Sequence, residues 1–341
     1  MITYAGTFIT GFSNVVEKNL KSKIKNCEIL TLLDGLIIFK CSENILNLKI
    51  PFLNNIYYII DFKKTDSNAN YNFSLQNFTK KTNVNINELK KFIKKNSDFK
   101  ILTIDKNQPT SVNFKLIEPL EKLIISRCGL RLNKRNPKTE FVILRRSENI
   151  ILFMLKISNN RQTEKTLKKG ELRPELANLM ISLSNLSNTD IVIDPFCGSG
   201  AIPKEIIRHF PYNMCFASDI DDNLISILKK EYKENNKKLF IKKRDALDLS
   251  YFEDNFIDVI ITDPPWNIYN KQDINFEKFY EKMLTSFKRI LKDSGSIIIL
   301  MGNIDEFEKA LSLVPELILF NKIDTLVNGK KASIYVIKKH I

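Results

Sequence analysis

The sequence predicts an α/β protein whose back half is a doubly wound, mostly parallel sheet, preceded by a smaller α+β part. Three observations carry this. From Arg173 onward, short apolar runs such as Val259-Ile260-Ile261 alternate with helical stretches, the pattern of strands buried on both faces. Before Arg173, strands, a hairpin and helices follow one another without that alternation. The 341 residues, 43% of them hydrophobic, exceed the roughly 100–200 of a single domain and can bury real cores.

In the front part, residues 4–10 read as a strand. Gly11-Phe12-Ser13 then opens a helix over 14–25 with Val15, Val16, Leu20 and Ile24 at helical spacing. Runs 27–33 and 36–40 flank Asp34-Gly35, a hairpin signal. A second helix over 42–48 and a strand over 56–62 complete a ferredoxin-like layer, residues 1–62. Residues 63–83, rich in Asn, Lys, Ser and Thr, read as a loop. A helix at 86–95, a strand at 99–105, a helix at 116–130 and strands at 140–144 and 150–157 form a second α+β domain, 63–158. The polar stretch 159–172 reads as a linker.

In the back part, 173–341, strands are expected at 191–194, 214–219, 239–242, 256–262 and 296–301. A closing hairpin is expected from 317–323 and 333–338 around Asn328-Gly329.

Charge separates the same two parts. The net +14 divides into +13 for residues 1–160 and +1 for 161–341. A basic front half suits a polyanion, because neutralising phosphates releases counterions. The competing explanation, an AT-rich genome filling surfaces with Lys and Asn, would act on both halves alike. Five widely spaced cysteines without a CxxC pair argue against a disulfide framework or a zinc knuckle and for a reducing, cytoplasmic setting. No apolar run is long enough to span a membrane, and no secretory signal is expected at MITYAGTFITGF.

Asp194-Pro195-Phe196-Cys197-Gly198-Ser199-Gly200 stands between a strand and a helix. Its glycines permit a tight turn and close approach of a ligand, and the helix N-terminus offers free N–H groups. Pro203 replaces the third glycine of a dinucleotide fingerprint, which disfavours NAD. Asp219 ends the next strand, where an acid bonds ribose hydroxyls or caps the following helix. Asp245-Ala246 follows the third strand, where a carboxylate can accept from an adenine amine or form a local cap. Asp263-Pro264-Pro265-Trp266-Asn267 follows the fourth. Two prolines fix a rigid turn that offers the Asp263 carboxylate and the Pro264 carbonyl as acceptors beside an aromatic plane. That suits a flat base with an exocyclic NH2, though a purely structural turn with a buried tryptophan has the same sequence.

In this order DPFCGSG, SDID, RDA and TDPPW resemble the class I S-adenosylmethionine-dependent methyltransferases that act on exocyclic base nitrogens. KGELRPELANLM (169–180), Gly11-Phe12, Asp34-Gly35 and LRLNKRNP (130–137) resemble the THUMP-domain RNA methyltransferases. The resemblance implies a Rossmann-like methyltransferase sheet behind a ferredoxin-like layer and a THUMP domain that binds the acceptor end of tRNA. It implies transfer to guanosine N2, at acceptor-stem position 6 in one branch, by a cytoplasmic, metal-free monomer. Carried over by motif, Arg173, Asp194, Pro195, Cys197, Gly198, Gly200, Asp219, Ile220, Asp245, Ala246 and Asp263 would hold the cofactor, with Asp263, Pro264 and Trp266 catalytic. Asn267 stands where the family often has Gly and would touch the base. Arg127 and Arg131, one helical turn apart, are expected on one face, with Lys134, Arg135, Lys138, Arg145 and Arg146 extending a phosphate grip. The alternatives are an ordinary solvated face, ribosomal RNA as substrate, adenine N6 as target, or an RNA-binding protein without activity.

Overall fold

The computed structural model describes all residues except 67–68, 94–96, 159–166, 168–170, 233–235, 267–274 and 341. The front body begins β1 (Ile2–Thr7), α1 (Ser13–Lys23), β2 (Glu28–Leu33), β3 (Leu36–Cys41) and β4 (Asn55–Lys64). It continues α2 (Tyr71–Lys81), α3 (Ile86–Leu89), β5 (Asp98–Asp105), β6 (Gln108–Pro109), α4 (Glu118–Cys128), β7 (Arg131–Leu132), β8 (Thr139–Arg145) and β9 (Ile150–Lys156). These strands form one sheet in the order β2-β3-β1-β4-β9-β8-β5-β6, with β7 paired to β5. β4 pairs with β1 on one side and β9 on the other, so the sheet runs unbroken through position 62.

Three local expectations differ. Residues 63–83 are not all loop, because α2 forms within them. Asn70 caps it by accepting from the Phe73 N–H at 2.8 Å, and Tyr71, Leu75 and Phe78 bury one face at i, i+4, i+7. The Asn- and Lys-rich composition masked that periodicity. The helix expected at 42–48 is a single 3-10 turn, Ile45–Asn47, since so short a segment does not sustain a nucleus. The helix expected at 86–95 is α3 passing into a 3-10 turn at Lys90–Phe92, with its last two positions outside the described residues.

The back body runs α5 (Pro174–Ser184), β10 (Ile191–Asp194), α6 (Ala201–His209), β11 (Met214–Asp219), α7 (Asp222–Glu231), β12 (Leu239–Lys243) and β13 (Ile257–Thr262). It ends α8 (Phe276–Ile290), β14 (Leu291–Met301), α9 (Ile304–Ser312), β15 (Leu317–Val327) and β16 (Lys330–Lys339). The sheet order is β12-β11-β10-β13-β14-β16-β15, parallel up to β14 and antiparallel beyond. The pleat of β14 sends Ile298 and Leu300 to the face covered by α5 and α6. Ile297, Ile299 and Met301 go to the face covered by α8 and α9. This is the doubly wound sheet the apolar runs predict.

One core joins the two bodies: Phe12, Val16 and Leu20 share it with Leu176, Met180, Ile298 and Ile334. Asn19 donates to Ser182 Oγ at 2.8 Å, and the Thr325 hydroxyl donates to the Thr10 carbonyl at 2.9 Å. The front body is thereby seated on the back sheet through apolar packing as well as covalent linkage.

Candidate functional site

β10 lies between β11 and β13, so the chain leaves it in one direction and returns on the other side. The loops at this switch point diverge and open a crevice at the carboxyl ends of the strands. After Asp194 the chain runs through Gly198 and Gly200, at φ of 50° and 84°, into α6. At Gly200 a Cβ would fall 2.4 Å from Leu228 Cδ1, so glycine lets the turn pack on α7. At Gly198 a Cβ would meet nothing within 4 Å, so glycine there bares backbone to the cleft. Pro203 falls in the first turn of α6, where a missing N–H costs nothing.

The loop and its neighbours frame a cleft of about 640 Å³. Asp194, Pro195, Cys197, Gly198, Asp219, Ile220, Asp245, Ala246 and Asp263 all line it, so the structure gathers these expected residues from four strand ends. Both Asp219 oxygens take backbone donors, Oδ2 from Gly198 and Oδ1 from Asp221, each at 2.9 Å. The cap of α7 is Asp221, accepting from Asn223 and Leu224, so Asp219 is free of that duty. Asp245 Oδ1 accepts from the Leu247 N–H at 2.9 Å, an Asx turn that presents Ala246 to the cleft.

Asp194 is buried and accepts from the Thr262 hydroxyl at 2.8 Å and the Phe196 N–H at 3.2 Å. Burial pushes its carboxyl up to about 8 against those hydrogen bonds, and the charges of Asp219 and Asp263 push the same way. Burial pushes Asp263 up to about 7, with the nearby Trp266 side chain opposing it. Three crowded carboxylates with little solvent favour a ligand that brings positive charge. Burial also raises the Cys197 thiol, which keeps it protonated and inert.

Sequence reasoning missed several wall residues. Phe196 and Phe279 line the cleft with ring centroids 6.1 Å apart, and join the expected Ile220 as apolar surface. Glu171 accepts from the Ser199 hydroxyl at 3.1 Å and ties the segment before α5 to the glycine loop. Phe196 and Glu171 sit within the motifs already read, whereas Phe279 carries no mark separating it from the other apolar positions of α8. Arg173 occupies the N-cap of α5, its Nε 3.7 Å from Glu175. Pro264 is buried at the tip of β13, Trp266 is half-buried beside it, and Asn267 lies outside the described residues, as does most of 159–172.

The basic residues of the front body fall into two groups. Arg127, Arg131, Lys134, Arg135 and Lys138 are exposed. Arg127 and Arg131 do not share a helix face, because α4 ends at Cys128 and Gly129 turns left-handed, placing Arg131 in β7. Asp98 anchors the turn that follows, accepting from Asn133 Nδ2 at 2.6 Å and from the Lys138 N–H at 2.7 Å. Those bonds hold its carboxyl below the usual range. Arg145 and Arg146 are not part of a grip. Both are buried, Arg145 chelating Asp105 at 2.8 and 2.9 Å and Arg146 engaging Glu148, Asn107 and the Asp34 carbonyl.

Among the described residues no cluster of three or more His, Cys, Asp or Glu could hold a metal, and no helix is long and apolar enough to cross a membrane.

Comparison with known proteins gives the same picture. Residues 161–318 match UPF0020, the RMKL-like methyltransferase domain. A tRNA (guanine(10)-N2)-dimethyltransferase of Methanocaldococcus jannaschii is 29% identical over 147 residues, 41% of this chain and 40% of that protein. A probable tRNA (guanine(10)-N2)-dimethyltransferase of Methanothermococcus thermolithotrophicus is 30% identical over 131 residues, 36% of this chain and 77% of that protein. The chain thus spans well under two-thirds of the first relative's length and more than two-thirds of the second's. The crystal structure of TrmN from Thermus thermophilus superposes with a TM-score of 0.78 at 15% identity, covering 99% of this chain and all of that one, so both bodies share its fold. The chain belongs to the RMKL-like methyltransferase domain family.

Proposed function

We propose that this protein transfers a methyl group from S-adenosylmethionine to the exocyclic N2 of a guanosine in tRNA. The finer reading places the target in the acceptor stem, at position 6, and has the enzyme act as a cytoplasmic monomer. One observation carries the proposal: the Asp263–Trp266 turn stands at the tip of β13, directly beside a carboxylate-walled cleft at the switch point. The relatives named for guanine-N2 methylation of tRNA support the base and the RNA class.

The residues present fit the cofactor. Asp219, already oriented by two backbone donors, keeps lone pairs for ribose hydroxyls. Asp245 and Ala246 would meet the adenine edge, with Ile220 and Phe279, which line the same cleft, offering apolar surface to its ring. The bare backbone at Gly198, with Cys197 and Asp194, would hold the methionine part. When bound, the group supplies an electrophilic methyl on a positively charged sulfur.

The chain's own contribution is placement. Asp263 and the Pro264 carbonyl accept the two amine hydrogens, which aims the nitrogen lone pair at the methyl carbon. Forming the nitrogen–carbon bond would break the methyl carbon–sulfur bond, leave a neutral thioether and cost the nitrogen one proton, which Asp263 is positioned to take. Trp266 supplies a plane for the base ring. In the front body, 63–158 is proposed as the THUMP domain, with Arg127, Arg131, Lys134 and Arg135 meeting RNA phosphates.

The test is mass spectrometry of nucleosides from tRNA and rRNA of a strain lacking this protein. Loss of N2-methylguanosine from tRNA is expected. Loss of N6-methyladenosine, or a loss confined to rRNA, overturns the base or the RNA assignment, and no loss at all leaves an RNA-binding protein.

A further inference from the structure

The turn that carries the base acceptors has few means of holding itself. Pro264 and Pro265 have no backbone N–H to donate, and β13 ends at Thr262. Support comes from two later elements. Tyr280, in the second turn of α8, is fully buried, and its hydroxyl donates to the Pro265 carbonyl at 3.0 Å. Asn303 Nδ2 donates to that same hydroxyl at 3.3 Å. One residue earlier, Gly302 lies so close under Trp266 that a Cβ would fall 2.3 Å from the indole ring. The Trp266 N–H donates to the Leu300 carbonyl at 3.3 Å. These contacts close a circuit from Pro265 through Tyr280, Asn303 and Gly302 to Trp266, and so back to Pro265.

Packing alone does not explain the Tyr280 hydroxyl. Its ring sits among Phe276, Phe279 and Phe307, with centroids 5.5 to 5.9 Å away, where a phenylalanine would fill the same space. A buried hydroxyl without a partner is destabilising, so its presence here answers to the carbonyl it meets. Burial raises its pKa, which keeps the O–H available as a donor.

We propose that Tyr280, backed by Asn303, is a positioning residue for methyl transfer: it ties the Pro265 carbonyl away from the substrate, so that Asp263 and the Pro264 carbonyl keep their aim at the amine. This rests on the base-methylating reading of the turn. Displacing reacting groups by about 1 Å can cost ~100-fold in rate, so a partly loosened turn is expected to cost around tenfold.

The chain's single tryptophan is Trp266, so tryptophan emission, excited apart from that of the tyrosines, reports on this turn alone. The experiment compares the full-length wild type with Tyr280→Phe, Asn303→Ala and the double variant, using S-adenosylmethionine and unmodified tRNA transcripts. Tyr280→Phe should lower kcat ~10-fold while both KM values stay within about twofold, with red-shifted and more quenchable tryptophan emission. The melting temperature should move by only a few degrees. Asn303→Ala should change kcat and emission in the same direction by less. The double variant should be no worse than Tyr280→Phe, because Asn303 acts only through that hydroxyl. Wild-type kcat with unshifted emission in Tyr280→Phe overturns the proposal. If that variant does not fold, the same result in Asn303→Ala overturns it. If the wild type transfers no methyl group, the functional reading fails, and the emission of the variants still decides whether Tyr280 holds the turn.

Discussion

The two bodies place charge at strand ends in opposite ways. In the front body, Asp98 at the start of β5 gathers the turn 133–138 through the Asn133 side chain and the Lys138 N–H and leaves Lys134 and Arg135 in solvent, while Arg145 and Arg146 fold inward onto acids and carbonyls. In the back body, β10, β11 and β13 deliver Asp194, Asp219 and Asp263 into one cleft. The +13 of the front therefore overstates its grip, since two of its cations are internal ties. The near-neutral back body instead gathers three carboxyl groups around one cleft. What a charged residue can do depends on what its strand end faces, not on how many like it the chain carries.

The sharpest way to separate the bodies is Asp263→Ala. It removes one of the two proposed amine acceptors and the proposed base, so methyl transfer should fall ~1000-fold or more. RNA affinity, proposed for the other body, should survive. Binding by gel shift and turnover with labelled cofactor measure the two separately, and near-normal turnover would sink the catalytic assignment.

pH offers a second separation. Burial raises Asp263 to about 7 and Asp194 to about 8, so below these values the cleft holds protons and loses the charge that attracts a cationic ligand. The sign follows: kcat/KM should rise with pH and level off above 8, falling ~10-fold per unit between 8 and 7 and more steeply, toward ~100-fold per unit, below 7 where both groups hold protons. The two apparent values belong to the coupled pair. Between the ordinary carboxylate range and about 8 the folded state holds more protons than the unfolded one, so stability without ligand should decline as pH rises across that window. A melting-temperature series with and without cofactor checks this, and a profile flat from pH 5 to 9 would refute the buried-carboxylate account.

Much of this was legible in the sequence, for physical reasons. Buried parallel strands must be apolar on both faces, so β10 and β13 announced themselves as Ile/Val runs, and the acids that close them stood out against that background. The site was readable because its chemistry sits in short local motifs. Three things were not. α2 hides its Tyr71, Leu75 and Phe78 stripe among Asn and Lys. The split of Arg127 from Arg131 turns on Gly129, whose left-handed conformation outweighed the apolar period running to Leu130. Phe279, Tyr280 and Asn303 reach the site only through tertiary packing of α8 and the β14–α9 junction, which no local pattern encodes.

The front body should respond to charge in two distinguishable ways. Reversing exposed Arg131 and Arg135 to Glu should weaken tRNA binding ~10-fold and flatten its salt dependence by about two phosphate contacts, leaving cofactor affinity and melting temperature unchanged. Arg145→Ala should instead destabilise the fold by about 3 kcal/mol, because it strands Asp105 without its partner. Filter binding over a salt series, beside thermal melts, tells a phosphate contact from an internal tie. If reversal of Arg131 and Arg135 leaves binding unchanged, the grip lies elsewhere.

The smallest expected effect is the most specific. Asp98 touches no proposed phosphate, yet it accepts from Asn133 and Lys138 and so fixes the turn that displays Lys134 and Arg135. Asp98→Ala releases that turn without removing a cation and takes away one negative charge nearby. On charge alone, RNA binding should tighten. If preorganisation of the turn matters more, binding should weaken ~3-fold, the cost of ordering one or two long side chains on the RNA. We expect the weakening, with the salt dependence unchanged because the number of phosphate contacts is the same. A tighter complex would show that the turn contributes charge and not shape.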